Sequence, residues 1–335
     1  MELNTATLGD FVKLADVLWQ RAFDSVPQVM RGSGLFREVD IPQNTGNTRE
    51  FSEIDGEEYA ALKDEGDQAT RAAVQQGYSV TMTQKRVAKD IGITYEMRTQ
   101  NKYPEVVARL EQLGRQVANR MDLDLAHRIG FATSTTYVDM DGTTVSIDVG
   151  DDLALVSTAH TLRGSGTTYR NQLAGNARLS KGSLEGMERL VVEETYNQFG
   201  EKMTMSFDLL WTTDDPNTVN TAREYLQSTA DVDGANSGVV NVYMSKYRHV
   251  VLPRVATTAA GARDTAKRYY WGLASSQMTT AKLGIWEAPH LKTPAPLNAG
   301  EEFATDDWNY GARGGYGIAI VSGAWIKFSS GDGTA

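Results

Sequence analysis

Pro104-Glu-Val-Val-Ala-Arg-Leu110-Glu-Gln-Leu-Gly-Arg-Gln-Val-Ala-Asn-Arg120-Met-Asp-Leu-Asp-Leu-Ala-His-Arg-Ile-Gly130-Phe131 carries the pattern of one long helix. Pro104 suits a helix's first turn, where a missing N–H leaves nothing unsatisfied, and Glu105 suits the positive end of the helix dipole. Val107, Leu110, Gly114, Val117, Met121 and Leu125 recur at helical spacing and draw one apolar stripe, while Glu111, Arg115 and Asp122 fall on other faces. At ~1.5 Å per residue the helix is on the order of 40 Å long, enough to be the spine of a domain.

Upstream, Ala88 to Thr94 reads as a short strand. Asn47 to Ile54 and Gln75 to Gln84 carry the alternation and β-forming residues of two further strands, which pair as a long hairpin. Between them, Glu53 to Asp67 holds Glu53, Asp55, Glu57, Glu58, Asp64, Glu65 and Asp67 against one base, Lys63. Such a tip cannot bury itself. A solvated loop is its plainest use, but a long hairpin with a charged tip is also how a protein reaches onto a neighbour. Nearer the N-terminus, Leu8, Phe11, Val12, Ala15, Leu18, Trp19 and Ala22 make an amphipathic helix that needs a partner. Val26 to Gln43, interrupted by Pro27, Gly32, Gly34 and Pro42, reads as an irregular arm.

Downstream, Tyr137 to Val149 forms a hairpin around the turn dipeptide Asp141-Gly142. A second amphipathic helix spans Ser180 to Phe199 with Gly200 as its stop, and Asp215-Pro216 opens a third after a buried strand at Ser206 to Thr213. Val239 to Met244, Arg248 to Pro253, Arg268 to Leu273 and Leu283 to Glu287 supply short strands. Trp308 to Ser329 is strand-like but bent by Gly311, Gly314, Gly315, Gly317 and Gly323. The mixture is α+β.

Composition narrows function. The 335 residues are 41% hydrophobic, enough for a sizeable interior, and the mean hydropathy of −0.39 and lack of a long apolar run predict a soluble chain without a membrane span. The start, Met1-Glu2-Leu3-Asn4, lacks the pattern of a secretory signal, which predicts synthesis in the cytoplasm. Zero cysteines remove disulfide frameworks, thiolate metal sites and cysteine nucleophiles. A net charge of −10 and a pI near 5.0 oppose non-specific attraction to nucleic-acid phosphates.

The common catalytic signatures are absent: no G-x-S-x-G, H-E-x-x-H, Walker loop or dinucleotide turn occurs. The four histidines, His127, His160, His249 and His290, show no ligand spacing. Asp139, Asp141, Asp148, Asp151 and Asp152 lack the calcium-loop pattern and read as turn chemistry. Ser157 and His160, with Asp151 or Asp152 nearby, sketch a nucleophile and base, and a hydrolase using them is the distant enzyme alternative. The aromatic residues Trp211, Trp271, Trp286, Trp308 and Trp325 lie in strand-like runs and are read as packing. Neither an enzyme nor a cofactor or metal protein is expected.

This order of elements resembles the major capsid protein of tailed bacteriophages, the Hong Kong 97 fold. Ala154-Leu-Val-Ser-Thr-Ala-His160, Gly164, Asn171, Leu179-Ser-Lys-Gly-Ser-Leu184, Phe199-Gly200 and Phe207-Asp-Leu-Leu210 further resemble a Mu-like head-subunit branch, from which Trp211-Thr-Thr-Asp-Asp-Pro216 departs. The resemblance implies an N-terminal arm at 1–45, an extended hairpin loop at 46–87, a peripheral domain at 88–205 with its spine helix at 104–131, an axial domain at 206–299 and a return to the peripheral domain at 300–335. It also implies self-assembly into hexamers and pentamers of an icosahedral head around double-stranded DNA. The inter-subunit contact would then be the hairpin tip, Glu57, Glu58, Lys63, Asp64, Glu65 and Asp67, and Ala230 to Val255 with Thr257 to Asp264 would approach the capsomer axis. Some relatives crosslink a loop Lys to a neighbour's Asn. Lys63 is the tip's one Lys, and offsetting local acidity is its simpler role. The implied partners are copies of the chain, a separate scaffolding protein (about 45 residues precede the hairpin, fewer than a typical scaffolding segment), a portal and a decoration protein, in a virion assembled in the host cytoplasm. An encapsulin-like compartment and a tail or baseplate protein are the structural alternatives.

Overall fold

The two longest helices pack on each other: α1 (Thr5–Ser25) and the spine α2 (Tyr103–Gly130), which begins within one residue of the expected start. The computed structural model describes residues 5–55, 58–66, 68–71, 73–94, 96–97, 100, 103–231, 238–292 and 308–333. Buried Ala15, Trp19, Ala22 and Phe23 of α1 pack onto the spine, and Trp19 and Phe23 stack at 5.4 Å. Gly114 permits that approach, since a Cβ there would lie 2.6 Å from the Trp19 carbonyl oxygen. The apolar stripe therefore has the partner its spacing requires. The spine's second half differs from the sequence expectation, because Met121 to His127 are buried on every side. Asp122, placed by its spacing on another face, is instead 1% exposed; its carboxylate accepts the Met30 N–H at 2.8 Å and pairs with Arg254 at 3.0 Å. Burial pushes this carboxyl above its ordinary value, against the pull of both partners.

The strands, in chain order, are β1 (Arg37–Asp40), β2 (Thr48–Asp55), β3 (Gln75–Thr83), β4 (Lys85–Ile93), β5 (Thr136–Val138), β6 (Thr144–Ser146), β7 (His160–Thr161), β8 (Thr168–Tyr169), β9 (Leu209–Thr212), β10 (Arg248–Val251), β11 (Trp271–Ala274), β12 (Ala281–Lys292), β13 (Trp308–Ile320) and β14 (Ile326–Ser329). Helices α3 (Lys181–Glu193) and α4 (Pro216–Gln227) lie between β8 and β10. One sheet has the order β1-β12-β13-β4 and a second the order β10-β9-β11-β14. Three two-stranded pairs, β2–β3, β5–β6 and β7–β8, complete the set.

Strands β9, β11 and β14 of the second sheet are buried on both faces, and β10 at its edge is partly exposed. Leu209 and Trp211 of β9 join the main core with the spine, whereas Leu210 joins a second core with Leu184, Met187 and Leu190 of α3 and Ala222 and Leu226 of α4. Successive side chains of a strand point to opposite faces, so a strand between two apolar layers reads as a continuous apolar run. Side-chain caps fix the covering helices: Ser180 accepts the Ser183 N–H in a capping box, and Asp215 accepts the Thr218 N–H with Pro216 in the first turn.

Several expectations are corrected. The arm expected to be irregular contains one helical turn, Val29–Gly32, and β1, which pairs in parallel with β12. The gain there is apolar burial, since Val39 and Ile41 pack with Met82 and Trp286. The helix expected through Phe199 ends at Glu193. Thr195 Oγ1 donates to the Val191 carbonyl, and the Asn197 side chain organises a turn whose Gly200 has φ +81°. Val239 to Met244 is a turn segment and not a strand: the Asn241 amide donates to the Tyr225 and Ser228 carbonyls, only Tyr243 of the alternating residues enters a core, and one isolated bridge joins Ala230 to Val240. The strand expected at 283–287 extends over 281–292 with irregular register around Glu287 and His290. The strand-like run at 308–329 divides between the two sheets, as β13 and β14. Among the described residues no helix is long and apolar enough to cross a membrane.

Candidate functional site: inter-subunit surfaces

The β2–β3 hairpin pairs over 48–55 and 75–83, as expected. Its root is buried by Phe51, Val80 and Met82 against Ile41 and Trp286 beside the first sheet. The glycine pair Gly284 and Gly317 of β12 and β13 lies directly beneath: a Cβ at Gly317 would sit 2.8 Å from Met82 Cγ and 2.9 Å from Trp286. Two carboxylates on alternate residues of β2 face the body. Glu53 accepts the Gln198 side-chain amide at 3.1 Å, and Asp55 accepts the Gln198 backbone N–H at 2.8 Å. Burial, then the neighbouring Asp55, raises the Glu53 carboxyl above its ordinary value. Both carboxylates line a cavity of about 180 Å³ between hairpin and body, together with Tyr78, Tyr169 and Ser322.

Of the predicted contact residues, Glu58, Lys63, Asp64 and Glu65 are all exposed, while Glu57 and Asp67 lie outside the described residues. Tyr59 ties the loop to the body, its N–H donating to Glu201 at 3.2 Å and its hydroxyl to the Lys202 carbonyl at 2.8 Å. Glu58 accepts the Ala73 N–H at 3.4 Å. Lys63, Asp64 and Glu65 make no ion pair among the described residues. Sequence reasoning missed the apolar members of this surface: Ile54, Tyr59, Leu62 and Val74 are each more than two-thirds exposed, Leu62 completely. Apolar residues scattered through a charge run were the available signal.

A second surface lies at 238–247, in the region expected near the capsomer axis. Val239, Val240, Val242 and Met244 are exposed around buried Tyr243. Beside them, Asp231 N–H donates to the Val239 carbonyl and the Lys181 ammonium pairs with Asp231 at 2.6 Å.

The sketched hydrolase centre is not assembled. His160 is fully buried and in contact with Asp151 at 2.8 Å and the Leu155 carbonyl at 3.2 Å, so both ring nitrogens face acceptors. The Ser157 hydroxyl instead accepts the Ala159 N–H. Burial pushes the Asp151 carboxyl up, but His160 more than offsets this and holds it below the usual carboxylate range. Of the other aspartates singled out in the sequence, Asp141 accepts the Thr143 N–H and Asp148 bonds Ser146, both locally, whereas Asp139 pairs with Arg120 of the spine.

Tertiary structure does bring together one cluster invisible in the sequence, Asp124, His127 and Asp139, all buried. Arg120 bonds both carboxylates, and the Tyr316 hydroxyl donates to Asp124 at 2.5 Å. The guanidinium already stands where a cation would, so the cluster ties the spine to the β5–β6 hairpin and β13. Burial pulls the His127 imidazole below its ordinary value, and its Nε2 lies 3.2 Å from the Thr258 carbonyl.

The sequence matches a family model described as phage capsid protein over residues 77–327. No curated protein matches it. Among solved structures, a chain from Gordonia phage Cozz superposes with a TM-score of 0.50 at 12% identity, covering 90% of this chain and 85% of that one. A virus-like particle from Pyrococcus furiosus gives 0.50 at 10% identity, covering 95% and 99%. The procapsid of bacteriophage JBD30 gives 0.49 at 9% identity, covering 98% and 76%. The fold is the Hong Kong 97 type of phage capsid structures.

Proposed function

The chain belongs to the phage capsid protein family, and on that premise we propose that it builds the icosahedral head as hexamers and pentamers around double-stranded DNA. Its role as a major capsid shell protein follows from the family. The observation that supports the hairpin as the inter-subunit element is its tip. Acidic and apolar side chains stand exposed on a loop whose root is anchored to the body. Apolar residues left exposed in a cluster mark a surface that gains burial from another molecule.

On this reading the subunit is not an enzyme, and its activity is distributed over interfaces. A scaffolding protein, a portal and a decoration protein are its partners, the head is assembled in the host cytoplasm, and a net charge of −10 keeps the shell from trapping DNA non-specifically. The Mu-like motifs around Ser157 to His160 and Leu179 to Leu184 support membership of that branch. The division into arm, extended loop, peripheral and axial domains is proposed with the boundaries 45, 87, 205 and 299.

Deleting Gly56 to Ala73 tests the role of the loop. The expected product is a folded subunit that forms no shells under electron microscopy. Normal shells from that deletion would refute it. Covalent oligomers in denaturing gels that disappear with Lys63→Arg would assign Lys63 a crosslink.

A further inference from the structure

Strand β4 is an edge of the first sheet, paired on one side with β13. Beside it, a groove of about 600 Å³ runs between β4, the spine and the β5–β6 hairpin. Lys85, Arg86 and Lys89 form its β4 wall; all three are exposed, and none makes an ion pair among the described residues. Across the groove, Arg120 pairs with Asp124 and Asp139, which also attract the Lys85 ammonium, and exposed Asp141 lines the far wall. Burial, then the neighbouring Arg128, lowers the Lys85 ammonium against the pull of Asp124 and Asp139, so Arg86 and Lys89 are the cations of this wall with the least compensation. The β4 wall of the groove thus presents exposed positive charge, carried chiefly by Arg86 and Lys89, along a strand edge.

The hairpin tip presents the complement. Asp64 and Glu65 are exposed without an ion pair among the described residues, and Glu58 is held only by the Ala73 N–H. One copy is poorly placed to satisfy both sets. β3 runs from the tip to Thr83 and β4 starts at Lys85, so the basic residues begin where the hairpin ends. At ~3.3 Å per residue, the tip and Lys85 stand roughly 30 Å apart along the strand. The tip is tied instead to Glu201 and Lys202 through Tyr59. Both surfaces also leave apolar side chains in water: Tyr59 and Leu62 on the tip, and Met140 on the groove's far wall.

We propose that the acidic tip of one copy docks against the basic edge strand of a second copy, setting Glu58, Asp64 and Glu65 on Lys85, Arg86 and Lys89. The inference rests on the proposed role of the hairpin and specifies where the tip lands. Charges along an edge strand deter neutral strands from pairing with it, and the same cations admit an extended acidic segment. A contact between two different patches is heterologous, and repeated around an axis it closes a ring.

Charge exchange in the full chain tests this directly. The tip reversal (Glu58→Lys, Asp64→Lys, Glu65→Lys) and the strand reversal (Lys85→Glu, Arg86→Glu, Lys89→Glu) should each lower shell yield by roughly tenfold, through like charges meeting across the contact. The urea midpoint of the unassembled tip reversal should stay unchanged, because its three positions are exposed; Lys85 lies near Asp124 and Asp139, so the strand reversal is read together with Arg86→Gln and Lys89→Gln, which add no carboxylate there. Combining both reversals in one chain restores the pairing with opposite sign and should return the yield to within about twofold of the parent. If the strand reversal misfolds, Arg86→Gln with Lys89→Gln should lower the yield by about threefold. A strand reversal that assembles normally, or a combined variant no better than either alone, overturns the docking. When that result accompanies an assembly-defective loop deletion, the hairpin's role survives and only its landing site is wrong. Normal shells from the loop deletion itself would remove both.

Discussion

The C-terminal half of the spine and the hairpin tip are both rich in charge, yet they sit in opposite environments. Around the spine, Asp122, Asp124 and Arg120 are wholly or largely buried, and each has a partner from another part of the same chain: Met30 and Arg254, Tyr316, and Asp139. At the tip, Lys63, Asp64 and Glu65 are exposed and make no ion pair among the described residues. A buried charge must be answered within the molecule, because leaving it alone costs several kcal/mol. An exposed charge on a projecting loop can wait for a partner, since water solvates it meanwhile. The spine's charges hold one subunit together, and the tip's charges are available to the next.

The comparison breaks most severely if the body is hollowed. Phe328 is fully buried between Trp211, 5.8 Å away, and Tyr270, 4.9 Å away. Phe328→Ala should cost about 3–5 kcal/mol in urea unfolding, with loss of the folded subunit before any assembly. A smaller effect is expected at the joint between α1 and the spine. Gly114→Ala forces a methyl against the Trp19 carbonyl and should cost about 1–3 kcal/mol, read as a lowered urea midpoint.

Acidity acts with opposite sign on a carboxylate of the body, Asp151, and one of the hairpin strands, Glu53. Asp151 is held below the ordinary carboxylate value, so the stability of its His160 pair is complete above about pH 4 and drains as pH falls through the depressed value. Glu53 is raised by burial and by Asp55, so its contribution to seating the hairpin is complete below about pH 4.3 and is lost as pH rises through the raised value. After correction for intrinsic rates, the Gln198 amide, which donates to Asp55, should exchange more slowly near the acid end of that window than at neutral pH. Equal protection across the window would separate Glu53 from hairpin seating. The smallest effect is expected at the tip itself. Asp64→Ala with Glu65→Ala should move the unassembled subunit's stability by no more than about 0.5 kcal/mol, checked by the same urea titration.

Much of this division was legible in the residues. Pro104 with the stripe from Val107 to Leu125, the alternation on either side of the acidic tip, Asp141-Gly142 and Asp215-Pro216 all carry local signals, and the corresponding elements form. The tip's exposure followed from its composition, since clustered like charge cannot be buried. The segments that depart from expectation, Arg37–Asp40 and 239–244, depend on a remote partner or on its absence. Arg37–Asp40 becomes a strand because β12 lies alongside, whereas 239–244 has one isolated bridge among the described residues.

Periodicity, turn dipeptides and charge clusters act over a few residues, so the helices, the hairpin and the charged, unburied tip are written in local sequence. Which polar groups go inside was decided only in three dimensions. Lys327 is fully buried in β14, pushed down to about 7 by desolvation, and donates to the Glu194 carbonyl at 2.9 Å. Nothing beside it in the chain foretells this, because its partner is supplied by the segment following α3. The same holds for Asp122 with Arg254 and for Asp124 with Tyr316. Burial of a charge depends on neighbours far away in sequence, and only the packed chain brings them within reach.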